Sequence, residues 1–349
     1  MTPFRIGTRD IGPDHPPFVV AEVGINHCGD VGRALDMCSL ARECGADAVK
    51  FQTFVADEFC SDPEQMFTYR SRGETVTEPM LAMFRHHELP RDAWPRIKAH
   101  CERIGIVFFS TPQNPSDLDL LLSVGVPAIK VGSDDFTNLP LLRQYGATGL
   151  PLILSSGMSD IGEVHDALTA AGWYEGRMVA LLSCTSSYPT PPEDVHLAKI
   201  STLRAAFPGL VVGFSDHSEG PLAAALASAA GAAIFEKHFT LDRDLPGPDH
   251  WFSEDPASLK YWIEGIHRAR ILMGDPLVRP TAGEMAMRVL ARRSVVALRP
   301  VAAGEVLDET AIGLRRPGDG LPPAWFERIL GTVARRALNA GEKLALGDF

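Results

Sequence analysis

The chain has 349 residues, 45% of them hydrophobic, and a net charge of −11, which suits one large core with a smaller appendage and excludes a disordered chain. The acidic balance speaks against nonspecific binding to nucleic acid or to an anionic membrane surface, so an anionic substrate has to be met by a local cluster of positive groups. The opening MTPFRIGTRD carries no basic stretch followed by an apolar run, and no window reaches ~18 apolar residues in succession, so no membrane span is expected and the cytoplasm is the expected compartment. The six cysteines (Cys28, Cys38, Cys44, Cys60, Cys101, Cys184) are scattered without a CxxC pair, which indicates neither a disulfide framework nor a thiolate zinc site.

From residue 18 onward, short runs rich in β-branched and aromatic residues alternate with stretches of helical period. The runs are FVVAEVG (18–24), AVKFQTF (48–54), IVFFST (106–111), AIKVGS (128–133), LILSSG (152–157), VALLSC (179–184), VVGFSD (211–216) and AIFEKHF (233–239). Between them fall helical sets such as Val31, Leu35 and Cys38, then Trp94, Ile97, Cys101 and Ile104, and last Leu259, Ile263 and Ile266. Eight strand–helix repeats in ~250 residues predict an α/β fold, a closed (β/α)8 barrel, with an open doubly wound sheet as the alternative. The connection 55–90 is far longer than a usual βα loop and reads as a lid or specificity element. The stretch GDPLVRPTAGEMAMRVL (274–290) breaks the rhythm, so we expect a barrel over 1–274, a linker over 275–290 and a second domain over 291–349. In that last part VAAGEVL (301–307) recurs as LNAGEKL (338–344), an Ala-Gly-Glu turn between short apolar strands, with Gly304 and Gly341 supplying the turn conformation. This predicts a small β-rich module, unless the similarity reflects only a common turn type.

Nearly every predicted strand ends in a residue able to bind or react, as the C-terminal face of a barrel requires. Lys50 and Lys130 lie inside otherwise apolar strands, where an unpaired ammonium is expensive to bury. They admit three readings: ion pairs with Glu22 or Glu236, a cradle for phosphate and carboxylate helped by the hydroxyls of Thr111, Ser133, Ser155 and Ser215, or a Schiff-base lysine. His217 and His238 end consecutive strands, and two imidazoles with oxygen ligands suit a borderline divalent ion such as Mn²⁺, although each could be a purely structural histidine. Glu22, with Asn26 and His27 just beyond, is placed to handle a sugar hydroxyl or aldehyde proton. The loop LPGPDHWFSEDP (245–256) has a backbone stiffened by Pro-Gly-Pro that could aim Asp249 at a polyhydroxy ligand.

These residues fall in blocks that resemble the sialic acid synthase family, which includes N-acetylneuraminate, legionaminate and pseudaminate synthases. The matching segments are AEVGINHCGD (21–30), GADAVKFQTF (45–54), FFSTPQNPSDLDLL (108–121), IKVGSDDFTNLPLL (129–142), LSSGM (154–158), CTSSYPTP (184–191), GFSDHSEG (213–220), EKHFTLD (236–242) and PGPD (246–249). RRSVVAL (292–298), AAGEVL (302–307) and LRRPGDG (314–320) resemble the family's C-terminal antifreeze-like SAF (β-clip) domain. The resemblance implies a TIM barrel and a homodimer in which the small domain is swapped over the partner subunit. It also implies a transferase reaction: phosphoenolpyruvate condenses with an N-acylamino hexose to give a nine-carbon 2-keto acid and phosphate. Carried over by position, it implies metal ligands His217 and His238 with Mn²⁺, Mg²⁺ or Co²⁺. It implies phosphoenolpyruvate contacts from Lys50, Thr111, Lys130, Ser133, Ser155, Tyr188 and Ser215. The sugar would meet Glu22, Gln52 and Asp249, with Arg316 reaching in from the partner's small domain and Ser186 also lining the substrate site. The chain departs from the neuraminate synthases at Ser186 and Cys28, where Asn is usual, and at Asp135, where Glu often occurs. Those positions bear on which acylamino sugar is used; another nonulosonate or a phosphorylated sugar is the alternative.

Overall fold

The computed structural model describes residues 4–349 and divides into two compact units, residues 1–274 and 275–349. In the first, eight parallel strands close into a barrel in chain order: β1 Phe18–Gly24, β2 Ala48–Thr53, β3 Val107–Pro112, β4 Ile129–Val131, β5 Leu152–Ser155, β6 Val179–Cys184, β7 Val211–Asp216 and β8 Ile234–His238. The doubly wound alternative is thereby set aside. Each strand runs within two or three residues of the bounds its apolar pattern predicts. The helices begin and end on local signals: Asp30 caps Val31–Cys44 and Gly45, at φ 99°, ends it, while Asn114–Asp117, Asp160–Glu163 and Asp255–Ser258 form capping boxes.

Alternation along the strands sorts side chains to two faces. Val19, Ala21, Val49, Phe51, Phe108, Ile129, Leu154, Leu181, Val212 and Phe235 pack outward against the helices, joined there by Trp94, Ile97, Leu259, Trp262 and Ile266. Phe18, Val20, Ala48, Phe109, Ile153, Ala180, Leu182 and Ile234 fill the lower interior, plugged from below by Phe4, Ile6 and Ile11 of the N-terminal segment. Gly213 belongs in this interior because a Cβ there would stand 2.5 Å from both the Ile234 carbonyl and a Leu182 methyl. Two residues further along each inward row the side chains become polar: Glu22 follows Val20, Lys50 follows Ala48, Thr111 follows Phe109, Ser155 follows Ile153 and Glu236 follows Ile234.

The 55–90 connection is structured rather than an open loop. It holds a short helix (Ala56–Phe59), an antiparallel hairpin (Met66–Ser71 with Glu74–Pro79) and a helix (Met80–His87). Ile25, Phe54, Ala56, Leu81 and Met83 form its own buried cluster, with Phe67, Tyr69 and Phe84 against it.

The second unit has a separate core of Val295, Ala297, Val301, Leu307, Ala311, Ile312, Ile329, Leu338 and Leu344. Strands Ser294–Ala297 and Ile312–Arg315 pair antiparallel within it. The stretch expected as a linker carries a helix, Ala282–Ala291, capped by Thr281. The two copies of the repeat pair with each other: Val301 and Leu338 exchange both backbone hydrogen bonds at 2.9 Å. Each copy builds the same turn, with Gly304 at φ 85° and Gly341 at φ 81°. In each, the glutamate next to the glycine accepts from a backbone N–H three residues earlier and meets an arginine at 2.6 Å, Glu305 with Arg299 and Glu342 with Arg336.

Candidate active site

The polar tops of the inward rows surround a cavity of about 300 Å³ at the C-terminal end of the barrel. Strand register makes its neighbours: Glu22 lies opposite Lys50 and His238, Gln52 opposite Thr111, and Ser215 opposite both Cys184 and Glu236. The two lysines are almost entirely buried, 4% and 2% exposed. Lys50 Nζ stands 2.8 Å from Glu22 Oε1, 3.8 Å from Glu236 Oε2 and 3.3 Å from Thr111 Oγ1. Lys130 Nζ donates to Ser155 Oγ at 2.7 Å and stands 3.5 Å from Glu236 Oε1. Ser215 Oγ donates to Glu236 at 3.1 Å, and Gln52 Nε2 donates to Glu22 at 3.2 Å. Glu236 therefore bridges the two lysines, the arrangement that the ion-pair reading expects.

The balance is incomplete in an informative way. Glu22 Oε2 and Glu236 Oε2 are buried without a hydrogen-bond partner, as are Ser186 Oγ and His238 Nδ1, and buried polar atoms are rarely left so. Burial raises the Glu22 carboxyl above its ordinary range, with Lys50 opposing. For Glu236 burial pulls the same way, but Lys130 and Lys50 outweigh it and hold it ionised. Burial lowers Lys130, whereas Lys50 is raised because Glu22 and Glu236 overcome its burial.

His217 and His238 come together as their strand ends predict, with ring centroids 5.5 Å apart. Tyr188 lies against His217 at 4.3 Å, and Phe252 packs against both Tyr188 and His238. His217 Nδ1 is held by the Thr185 carbonyl at 2.8 Å, which orients the ring and leaves Nε2 available. Burial works against charge on His217, but the Cys184 thiol and the Thr185 carbonyl outweigh it; burial and the charge of His217 push His238 well below its ordinary value. Asp249 stands at the rim, its Oδ2 3.8 Å from His238 Nδ1, and burial pushes it up to about 7. Among the described residues no group of three or more His, Cys, Asp and Glu is drawn tightly enough to enclose a metal ion.

Ser133 lies just past β4, where its Oγ accepts from the Gly157 N–H at 3.0 Å. Arg316 is an exposed residue of the second unit. The cavity also takes in Gln113, Asp134, Met158 and Cys184, which the sequence reading did not single out as site residues. Glu236 it named only as an ion-pair partner, although its place two residues before His238 puts it on the same inward row.

Residues 37–277 match the NeuB family and residues 292–349 match the SAF domain. The chain belongs to the NeuB family. It is 36% identical over 342 residues to the N,N'-diacetyllegionaminic acid synthase of Legionella pneumophila, an alignment spanning 97% of this chain and 96% of the relative. It is 32% identical over 340 residues to the human N-acetylneuraminate-9-phosphate synthase, spanning 96% and 92%. The crystal structure of the Leptospira borgpetersenii N-acetylneuraminic acid synthetase in complex with citrate superposes with a TM-score of 0.74 at 31% identity, covering 82% of this chain and 95% of that one. This NeuB-family chain is thus an enzyme of the sialic acid synthase type, a nonulosonate synthase built on a TIM barrel with a C-terminal SAF domain. No helix of the described residues is long and apolar enough to cross a membrane.

Proposed function

We propose that this NeuB-family enzyme condenses phosphoenolpyruvate with an unphosphorylated N-acylamino hexose to form a neuraminate- or legionaminate-type 2-keto acid, releasing phosphate. The observation that carries this reading is the pair of buried lysines bridged by Glu236 beneath the hydroxyls of Thr111, Ser155 and Ser215. A phosphate and carboxylate arriving there would supply the anionic partners that Glu22 and Glu236 now supply, and the lysines would provide orientation and charge stabilisation. Lys50 and Lys130 are the only lysine or arginine side chains lining the cavity among the described residues. One dianionic phosphate with its carboxylate uses both, which favours a sugar without a phosphate of its own.

In the reaction, C3 of phosphoenolpyruvate bonds to the aldehyde carbon of the open-chain sugar, whose oxygen takes up a proton and becomes a hydroxyl. Water adds at C2, and the C2–O bond to phosphate breaks. Glu22, its carboxyl raised by burial and one oxygen unpartnered, is the candidate to carry the proton at the sugar oxygen. Gln52, which lines the cavity beside Glu22, and Asp249, 3.8 Å from His238 Nδ1, would hold sugar hydroxyls, while Tyr188 and Phe252 wall off the histidine pair.

The histidine pair fits a divalent cation, Mn²⁺ foremost and Mg²⁺ or Co²⁺ as alternatives. His238 has an orphaned buried nitrogen, and His217 is oriented by a backbone carbonyl. When bound, such an ion supplies Lewis-acid polarisation of the aldehyde. With no third His, Cys, Asp or Glu drawn tightly to the pair among the described residues, water and substrate would complete its shell. The same proposal includes a cytoplasmic homodimer in which Arg316 of one protomer serves the sugar bound to its partner; the SAF match and the family membership support it.

The test is phosphate release from phosphoenolpyruvate by Mn²⁺-loaded enzyme with either N-acetylmannosamine or 2,4-diacetamido-2,4,6-trideoxymannose, with and without EDTA. Release that needs one sugar and stops with chelator is expected. Release with neither sugar would sink the reading. Trapping of a keto acid on Lys50 or Lys130 by borohydride would favour a Schiff-base aldolase instead.

A further inference from the structure

The hairpin in the 55–90 connection reaches the loop after β8, which carries Asp249. Its turn, Arg72–Gly73, has positive φ at both positions (53° and 80°), the geometry of a tight two-residue hairpin. Its base is held by Phe67 and Tyr69 on the Phe54–Leu81–Met83 cluster. Its tip touches the loop after β8 on both sides of Asp249. Ser71 Oγ, in a residue only 7% exposed, accepts from the Gly247 N–H at 3.1 Å. Arg72 Nε donates to the Asp244 carbonyl at 2.9 Å, and the Arg70 guanidinium lies 4.9 Å from the Trp251 ring centroid.

That loop needs holding. Gly247 sits at φ 147°, and a Cβ there would come 2.9 Å from the His250 ring, so its backbone path is one that other residues resist. On the inner side His250 is tied to Thr240 Oγ1 at 2.7 Å and to Cys28 Sγ at 3.2 Å. The hairpin tip closes the outer side, so Asp249 is carried between two clamps.

We propose that Ser71, with Arg70 and Arg72, is a positioning element for Asp249 that sets the enzyme's affinity for the polyhydroxy sugar and leaves phosphoenolpyruvate binding untouched; this rests on the reaction proposed above. The separation follows from placement. Lys50, Lys130 and their hydroxyls belong to strands of the packed barrel or lie beside their ends, whereas Asp249 depends on a loop that the hairpin braces. Ser71 removes one buried hydrogen bond when lost, which at the usual net value corresponds to about three- to tenfold.

The experiment compares wild type, Ser71→Ala, Arg70→Ala and Ser71→Thr. In the two alanine variants the KM for the sugar should rise about three- to tenfold, with the KM for phosphoenolpyruvate unchanged and the melting temperature lowered by no more than about 2 °C, and the threonine variant should restore the sugar KM. Hydrogen exchange of the Gly247 amide should quicken by a similar factor in Ser71→Ala. An unchanged sugar KM, or a parallel rise in both KM values, overturns the inference. If wild type shows no sugar-dependent phosphate release, the reaction proposal fails, and the amide exchange still decides the brace: unchanged exchange at Gly247 overturns it.

Discussion

Replacing Glu236 by Gln should weaken the free enzyme and tighten its grip on phosphoenolpyruvate, because both effects come from one unbalanced charge. The cavity is lined by two lysines and three carboxylates, Glu22, Asp134 and Glu236, and of these Glu236 touches both cations, at 3.5 and 3.8 Å. Glu236→Gln leaves Lys50 its contact with Glu22 but takes from the nearly fully buried Lys130 its carboxylate partner. Breaking a buried pair from one side costs about 3–5 kcal/mol, and water in the cavity should keep this site near ~3 kcal/mol. For a unit of this size that corresponds to a fall of about 5 °C in melting temperature. The missing carboxylate also ceases to repel the incoming anion. At an effective dielectric of about 20 and a separation of ~5 Å, that repulsion is about 3 kcal/mol. Half of it surviving screening and rearrangement still makes binding about tenfold tighter. Melting curves with and without phosphoenolpyruvate, together with titration calorimetry, test both halves. The stabilisation by phosphoenolpyruvate should be larger in the variant than in wild type. A variant that melts like wild type, or binds phosphoenolpyruvate more weakly, would refute the charge-balance argument.

Three further outcomes follow from the same geometry. His238→Ala should lower Mn²⁺ affinity at least tenfold, since even residues that merely orient a ligand are worth that much; electron paramagnetic resonance of free Mn²⁺ measures it directly. Asp117, in the capping box before Pro115–Val124, is pushed up to about 6 by burial. The folded state therefore holds its proton more tightly than the unfolded chain, a contribution present below about pH 4 and lost as pH rises through about 6. Asp117→Asn keeps an acceptor for Asn114, so it should match wild type in urea unfolding at pH 4 and exceed it by up to ~3 kcal/mol at pH 8. Lys237→Met should cost about 3–5 kcal/mol in the same assay by stranding Asp216, and adding Asp216→Asn, which removes the charge but keeps an acceptor for Trp262 and Ser218, should recover much of the loss.

The barrel was legible because its strands carry the period-two rule with few exceptions: β1 reads Phe18, Val20, Glu22 on one face and Val19, Ala21, Val23 on the other. The same rule makes the convergence of Lys50, Lys130, Ser215 and His238 readable, since each ends an inward row. Gln113 and Asp134 stayed invisible because they follow the strands, where no periodicity constrains direction. The hairpin 66–79 is hidden in the sequence for a related reason. Its strands alternate half-buried and exposed residues (Phe67, Tyr69 against Thr68, Arg70) over only six positions, too little apolar contrast to announce a sheet. The helix Ala282–Ala291 hid in a segment whose neighbours, Pro276 and Pro280, look like linker.

Asp216 and Lys237 lie opposite one another on β7 and β8, on the outward face between Ser215 and His217 and between Glu236 and His238. Lys237 is 3.5 Å from Asp216 and 3.7 Å from Glu254, it donates to the Ser218 carbonyl, and the Trp262 indole donates to Asp216 at 2.8 Å. During folding, a closing barrel strand can dock one residue early or late, and such a slip turns every side chain to the opposite face. Here a slip of β8 would swing Lys237 into the cavity and drive Glu236 and His238 among the apolar helices, forfeiting the Lys237 ion pair, its bond to the Ser218 carbonyl and two buried rows at once. A charged pair that contributes nothing to substrate contact can thus act as a proofreading mark, making a misaligned active site too unstable to persist.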